Sequence, residues 1–186
     1  EMQAKFSQVI EKTNQPGIYI LEAPMGGGKT EAALMGVEQL SNKTGTGGMF
    51  FGLPTQATSN GIFDRIKDWV NTLSLNDEKR SLQLVHGKAA LNDSYNVLPR
   101  ASNISEDAED GVVVNEWFVG RKTAMLDEFV VGTIDQFLMM SLKQKHLMLR
   151  HLGFTKKVIV IDEVHAYDAY MNQYLERTLR WIGAYG

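Results

Sequence analysis

The sequence predicts an α/β fold of three layers, with a mostly parallel central sheet covered by helices on both faces. Three observations lead there. Apolar, β-rich runs alternate with amphipathic helical patterns along the 186 residues, the order that builds a parallel sheet. A glycine-rich turn, Met25-Gly26-Gly27-Gly28, joins an apolar run to a helical start. Near the C-terminus a continuously apolar run, Val158-Ile159-Val160-Ile161, ends in two carboxylates, as strands buried on both faces end in α/β sheets. With 44% hydrophobic content the chain buries one substantial core, so residues 1–186 are expected to form a single domain.

The strands are expected at Ile18 to Leu21, Met49 to Leu53, Leu82 to Val85, Phe129 to Val131 and Lys157 to Ile161. Helices follow from apolar residues at helical spacing: Ile62, Ile66, Trp69, Val70 and Leu73; then Ile134, Phe137, Leu138 and Leu142; then Met171, Tyr174, Leu175, Thr178, Leu179 and Ile182. These stripes are core positions. From Asn92 to Asn115 the periodicity fails, and Ser105 to Gly111 is strongly acidic, so about 92–115 is expected to be a mobile acidic insertion.

Composition removes several classes of chemistry. The absence of cysteine excludes disulfides, thiolate zinc sites and a cysteine nucleophile. His86, His146 and His151 lack metal-like spacing, and no structural metal is expected. A net charge of -3 supplies no global positive field of the kind that dominates duplex-DNA binders, so any nucleic-acid contact must be local. No run reaches the roughly 18 apolar residues of a membrane span, and the N-terminus has no signal-peptide layout. A cytoplasmic location and no membrane partner are expected.

The chemistry concentrates in two places. The run Ala23-Pro24-Met25-Gly26-Gly27-Gly28-Lys29-Thr30-Glu31 sits between a strand pattern and a helix start, the context of a phosphate-binding loop. Consecutive glycines let backbone N–H groups of Met25 to Glu31 approach phosphate oxygens at the positive end of the following helix. Lys29 then reaches the β- and γ-phosphates and the Thr30 hydroxyl is a magnesium ligand, which makes ATP and Mg2+ the expected cofactors. Ala23 replaces the usual first glycine. In Asp162-Glu163-Val164-His165, Asp162 is the second magnesium-holding group and Glu163 polarises the attacking water, since phosphoryl transfer needs positioning and charge neutralisation. His165 is assigned the coupling of this site to nucleic-acid elements, against the alternative of a histidine that satisfies local hydrogen bonds.

Two further segments follow a strand and open a helix. In Pro54-Thr55-Gln56 and in Gly132-Thr133-Ile134-Asp135-Gln136, hydroxyls and N–H groups are placed to meet single-strand phosphates, with helix capping as the competing role, above all for Thr58 and Asp135.

The order of these segments resembles superfamily 2 DExH helicases. The wording of Gly28-Lys29-Thr30-Glu31-Ala32-Ala33-Leu34, Val131 to Gln136, Asp162 to Met171, Lys145 to Arg150 and Leu84-Val85-His86-Gly87 resembles the CRISPR-associated helicase-nucleases of type I systems. The resemblance implies a RecA-like, P-loop NTPase domain, the first of two, that drives movement along single-stranded DNA. It implies as partners a second RecA-like domain, an HD nuclease domain and a crRNA-guided surveillance complex. No His-Asp nuclease cluster precedes the phosphate loop, so nuclease chemistry is not expected of this chain, and turnover by the chain alone is expected to be poor. Helicase adenine selectivity comes from a glutamine ahead of the loop, where Gln3, Gln8 and Gln15 stand. Two other readings are a different DExH translocase, such as a restriction-enzyme motor, and a nucleotide-gated binding module that does not hydrolyse ATP.

Overall fold

A computed structural model describes residues 2–15, 17–73, 79–101, 111–120 and 123–185. Its helices of four residues or more are α1 (Met2–Lys12), α2 (Lys29–Thr44), α3 (Gln56–Leu73), α4 (Asp93–Asn96), α5 (Asp135–Leu138), α6 (Leu147–Phe154) and α7 (Ala169–Tyr185). The strands are β1 (Met49–Leu53), β2 (Arg80–Val85), β3 (Arg100–Ala101), β4 (Val112–Asn115), β5 (Phe129–Thr133) and β6 (Val158–Ile161). They form one six-stranded sheet in the order β3-β4-β2-β5-β1-β6. Every pairing in it is parallel, as the alternation of elements predicts.

Alternation along the central strands divides the core between two helical layers. Met49, Phe51 and Leu53 of β1, with Phe129 and Val131 of β5, pack with Leu34 and Val37 of α2 and Phe63, Ile66 and Val70 of α3. Phe50 and Val130, one residue out of step, face Phe137, Phe154 and Leu175 on the other side. There Phe50 meets Phe154 edge-on at 5.1 Å and Phe137 at 6.2 Å, which fixes α5 and α6 against the sheet. This is the three-layer α/β arrangement the sequence predicts.

Helix α1 packs on α2, where the Lys43 ammonium donates to the carbonyls of Ile10 at 2.8 Å, Glu11 at 3.0 Å and Thr13. These carbonyls lie in the last turn of α1 and just past it, so one side chain of α2 caps the C-terminal end of that helix.

Two expectations change. Ile18 to Leu21 is not a strand: the segment is irregular, Ile18 is 71% and Ile20 81% exposed, and Tyr19 rests edge-on against Phe6 of α1. Its alternating pattern suits a strand, but it joins no ladder, and a strand exists only through its neighbours' hydrogen bonds. Conversely, the region 92–115 is not simply an insertion. It contributes α4, β3 and β4, and Val112, Val113 and Val114 are fully buried beside β2. Three valines after an acidic run are too short to register as periodicity. Most of the acidic run itself, 102–110, lies outside the described residues.

Candidate nucleotide site and nucleic-acid rim

Because the strands are parallel, their C-terminal ends share one edge of the sheet. Gly52 is level with both Ile161 and Gly132, and Gly132 with Val85. The next residues on each strand, Asp162, Leu53, Thr133 and His86, therefore form one row, extended by bonds from Asp162 N to Gly52 O at 3.0 Å and Ile134 N to Leu53 O at 2.8 Å.

The glycine loop meets this edge through α2, which packs against β6. Gly26 (φ 74°) and Gly28 (φ 75°) take the left-handed conformation that turns successive N–H groups to one side, and Lys29 opens α2. The Lys29 ammonium lies folded onto the loop, donating to Ala23 O at 2.8 Å and Pro24 O at 3.0 Å. Those are neutral acceptors that phosphate oxygens would outcompete. A Cβ at Gly26 would meet nothing within 4 Å, and Met25 is 95% exposed, so the loop is open to solvent along Met25–Gly27. The loop residues fit a triphosphate, and Thr30, in the first turn of α2, fits its metal.

Across from the loop, Asp162 Oδ1 accepts the N–H of Glu163 at 2.8 Å. Glu163 itself has φ 53° and ψ 43°, a left-handed conformation unusual for a side chain with a Cβ. The Tyr167 hydroxyl donates to Asp162 O at 3.1 Å. Its phenol is pushed well above the ordinary value by burial, then by the carboxylates of Asp162, Glu163 and Asp135. His165 is exposed on the short turn that follows.

Glu31, counted among the loop residues, is turned toward α3, where the Arg65 guanidinium donates to its carboxylate. A backbone N–H, then Arg65, hold its carboxyl below the usual range. Gln3, on α1, brings its amide against the loop: a Cβ at Gly28 would stand 3.2 Å from Gln3 Nε2.

On the proposed nucleic-acid side, Pro54 is half-buried, Thr55 and Gln56 are exposed, and the hydroxyls of Thr55 and Thr58 are used in capping α3. Thr58 N donates to Thr55 Oγ1 at 3.1 Å, and Thr55 N to Thr58 Oγ1 at 3.3 Å, a reciprocal box. Gly132 and Thr133 are buried. A Cβ at Gly132 would approach Val85 O to 2.7 Å, so strand packing alone requires glycine there. Gln136 is held by Arg150 Nη1, which donates to its backbone oxygen at 2.8 Å and to Oε1 at 3.1 Å. Of these residues, Gln56 is the one with an exposed side chain not engaged in the cap.

Several contributors escape a reading of the sequence. Tyr167, Arg65 and the ring of His86 act through space. His86 Nδ1 accepts from Lys88 N at 3.1 Å, so its Nε2 donates to Asn60 Oδ1 at 2.9 Å, and Asn92 Nδ2 donates to the same oxygen at 3.0 Å. Burial holds the imidazole below its ordinary pKa, as a neutral ring with that bonding requires. In the sequence, His86 and Tyr167 stand within the runs Leu84 to Gly87 and Asp162 to Met171 that carry the family resemblance, but nothing local assigns either a partner.

The profile of the DEAD/DEAH box helicase family matches residues 2–183. The chain is 67% identical over 183 residues to the CRISPR-associated nuclease/helicase Cas3 of Streptococcus thermophilus, covering 97% of this chain and 20% of that protein. Against the CRISPR-associated endonuclease/helicase Cas3 of Thermus thermophilus the identity is 42% over 188 residues, covering 100% and 20%. The crystal structure of T. fusca Cas3-AMPPNP superimposes with a TM-score of 0.83 at 36% identity, over 99% of this chain and 20% of that one. A CRISPR RNA-guided surveillance complex in a pre-nicking state contains a chain that superimposes at 0.67 with 33% identity, over 98% and 16%. This chain thus spans about a fifth of the length of these relatives. Among the described residues no helix is long and apolar enough to cross a membrane.

Proposed function

The chain belongs to the DEAD/DEAH box helicase family, and on that premise we propose that it is the ATP-binding motor domain of a DNA helicase that moves along single-stranded DNA. The observation that carries this reading is the packing of α2, which Lys29 opens, against β6, which Asp162 and Glu163 directly follow. That contact sets a phosphate loop opposite a pair of carboxylates at one edge of a parallel sheet.

In this reading ATP binds with its phosphates along Met25 to Thr30 and magnesium is held by Thr30 and Asp162. Bound magnesium supplies charge neutralisation at the phosphates. Lys29 exchanges the carbonyls of Ala23 and Pro24 for the β- and γ-phosphates, and Gln3 lies on the side from which the base is read. Glu163 accepts a proton from, and orients, the water that attacks the γ-phosphate. Tyr167 holds the Asp162 carbonyl and so fixes the turn on which both carboxylates stand. His165 links that turn to the strand-end rim, where Pro54, Thr55, Gln56, Gly132, Thr133 and Gln136 form the face toward single-stranded DNA. Residues 1–186 act as one RecA-like unit. The likeness to Cas3 proteins and to a chain of a surveillance complex supports a type I CRISPR role, with a second RecA-like domain, an HD nuclease domain and a crRNA-guided complex as partners.

The test is equilibrium binding of a fluorescent ATP analogue with magnesium. Lys29→Ala and Asp162→Ala are each expected to weaken binding at least about tenfold, the loss of one charged contact to phosphate or metal. Wild-type affinity in both variants would remove the site from this edge of the sheet.

A further inference from the structure

Helices α2 and α3 share one face of the sheet, where Leu34 and Val37 pack in the same core as Phe63, Ile66 and Val70. Side chains join them as well. The Arg65 guanidinium of α3 donates to Glu31 Oε1 in the first turn of α2. One turn further along α3, Trp69 Nε1 donates at 2.6 Å to Glu38 Oε1, two turns further along α2. Trp69 is itself fixed edge-on, at 5.8 Å, against Phe129 of β5. Both carboxylates belong to α2 and both donors to α3, so the two helices are held together at the loop end and again below it.

The Glu31 contact reaches the phosphate loop. Its second oxygen, Oε2, faces Gly28: a Cβ there would stand 3.7 Å from it and 3.2 Å from Gln3 Nε2. Gly28 is the left-handed residue that caps α2, and its carbonyl accepts Ala32 N at 3.0 Å, so its place sets the line of the N–H groups that follow. One carboxylate therefore faces Arg65 with one oxygen and the last glycine of the loop with the other. An ion pair with both side chains half exposed adds little to stability, and α2 and α3 already share a core; what this one adds is a fixed direction for the Glu31 carboxylate.

The opposite end of α3 lies at the strand-end rim. Gln56 opens the helix, with its amide 3.3 Å from where a Cβ of Gly87 would stand, and Asn60 Oδ1 accepts from His86 Nε2 at 2.9 Å. Arg65 follows in the third turn, about 13 Å along the axis from Gln56. A helix moves as a rigid rod, so a displacement at its first turn is carried to its third.

We propose that Arg65 is a positioning residue: acting through Glu31, it sets the phosphate loop by the position of α3, so that a strand bound at the rim and a nucleotide bound at the loop change each other's affinity. The inference rests on the nucleotide and nucleic-acid reading above and adds to it the side chain that joins the two sites. The effect is the same in both directions, because linkage between two binding sites is reciprocal.

The experiment uses the full-length protein that carries this chain, as wild type, Arg65→Ala, Arg65→Lys, Glu31→Gln and the double variant Arg65→Ala with Glu31→Gln. It reads kcat and the KM for ATP with saturating oligothymidylate, the affinity for a fluorescent ATP analogue with and without oligothymidylate, and the midpoint of thermal unfolding. Arg65→Ala is expected to raise the KM about fivefold, the upper end for a half-exposed ion pair, with kcat within about twofold of the wild type. It also loses the increase in analogue affinity that oligothymidylate gives the wild type, and its midpoint stays within about 2 °C. Arg65→Lys recovers most of the KM, and the double variant is no worse than Arg65→Ala, since each single change removes the same contact. An unchanged KM, losses that add in the double variant, or a kcat and midpoint that fall together in Arg65→Ala overturn the positioning role. Wild-type analogue affinity indifferent to oligothymidylate also overturns it and leaves the motor reading standing. Failure of the wild-type protein to hydrolyse ATP with oligothymidylate present overturns both.

Discussion

At the foot of β6 the Lys157 ammonium donates to Met125 O at 2.8 Å and Gly153 O at 2.7 Å, with Asp127 and Glu128 close by. Burial outweighs the pull of those two carboxylates and lowers its pKa from 10.5 to about 8. The unfolded chain therefore holds more protons than the folded one between those two values. The penalty of burying the charge is fully present below pH 8 and shrinks as pH rises toward 10.5, so stability increases across that window. Urea denaturation is expected to show a midpoint that climbs from pH 8 to pH 9.5 in the wild type and stays level in Lys157→Met. At this scale the sequence is legible where chemistry is contiguous. Lys29, Thr30, Asp162 and Glu163 stand in contiguous runs, and the fold packs α2, which Lys29 opens, against β6, which Asp162 and Glu163 follow. Arg65 was illegible because its partner Glu31 lies on another helix, and Tyr167 because its phenol reaches back to a carbonyl, which every residue has.

Among the elements, α3 depends on its first turn. The reciprocal bonds of Thr55 and Thr58 satisfy N–H groups that the helix leaves open, and loss of such a cap costs about 1 kcal/mol. Thr55→Ala is expected to lower the midpoint of thermal unfolding by about 2–4 °C with little change in ATP-analogue affinity, read by differential scanning fluorimetry and by titration. The Glu31–Arg65 pair between α2 and α3, with both side chains about half exposed, is worth less than the cap because water and salt screen it. Strand prediction succeeded for β1, β2, β5 and β6, whose runs are long and apolar. It failed for Ile18–Leu21, where the local pattern was right and the neighbouring ladder absent, and for β4, where four residues carry too little pattern to stand out from an acidic stretch. Pairing is a property of two segments, and one segment's composition does not contain it.

For the molecule as a whole, the parallel sheet gathers residues that are far apart in sequence onto one edge, where the proposed function sets the nucleotide at the β6 end and single-stranded DNA along the ends of β1 and β5. Turnover is expected to need more than this edge, since transition-state arginines in such motors come from a second domain and are worth roughly 10³–10⁵ in rate. Phosphate release by residues 1–186 alone is expected to be at least about a thousandfold slower than by the full-length protein. Equal rates would place every catalytic group within this chain. The left-handed backbone at Glu163 carries a last consequence. Such a conformation raises the free energy of a residue with a Cβ by roughly 1–2 kcal/mol, and glycine adopts it without that strain. Glu163→Gly is therefore expected to abolish hydrolysis while melting no lower, and at best a few degrees higher, than the wild type. On the role proposed for Glu163, a chain selected for heat resistance alone would discard this glutamate, and keeping it trades melting temperature for hydrolysis.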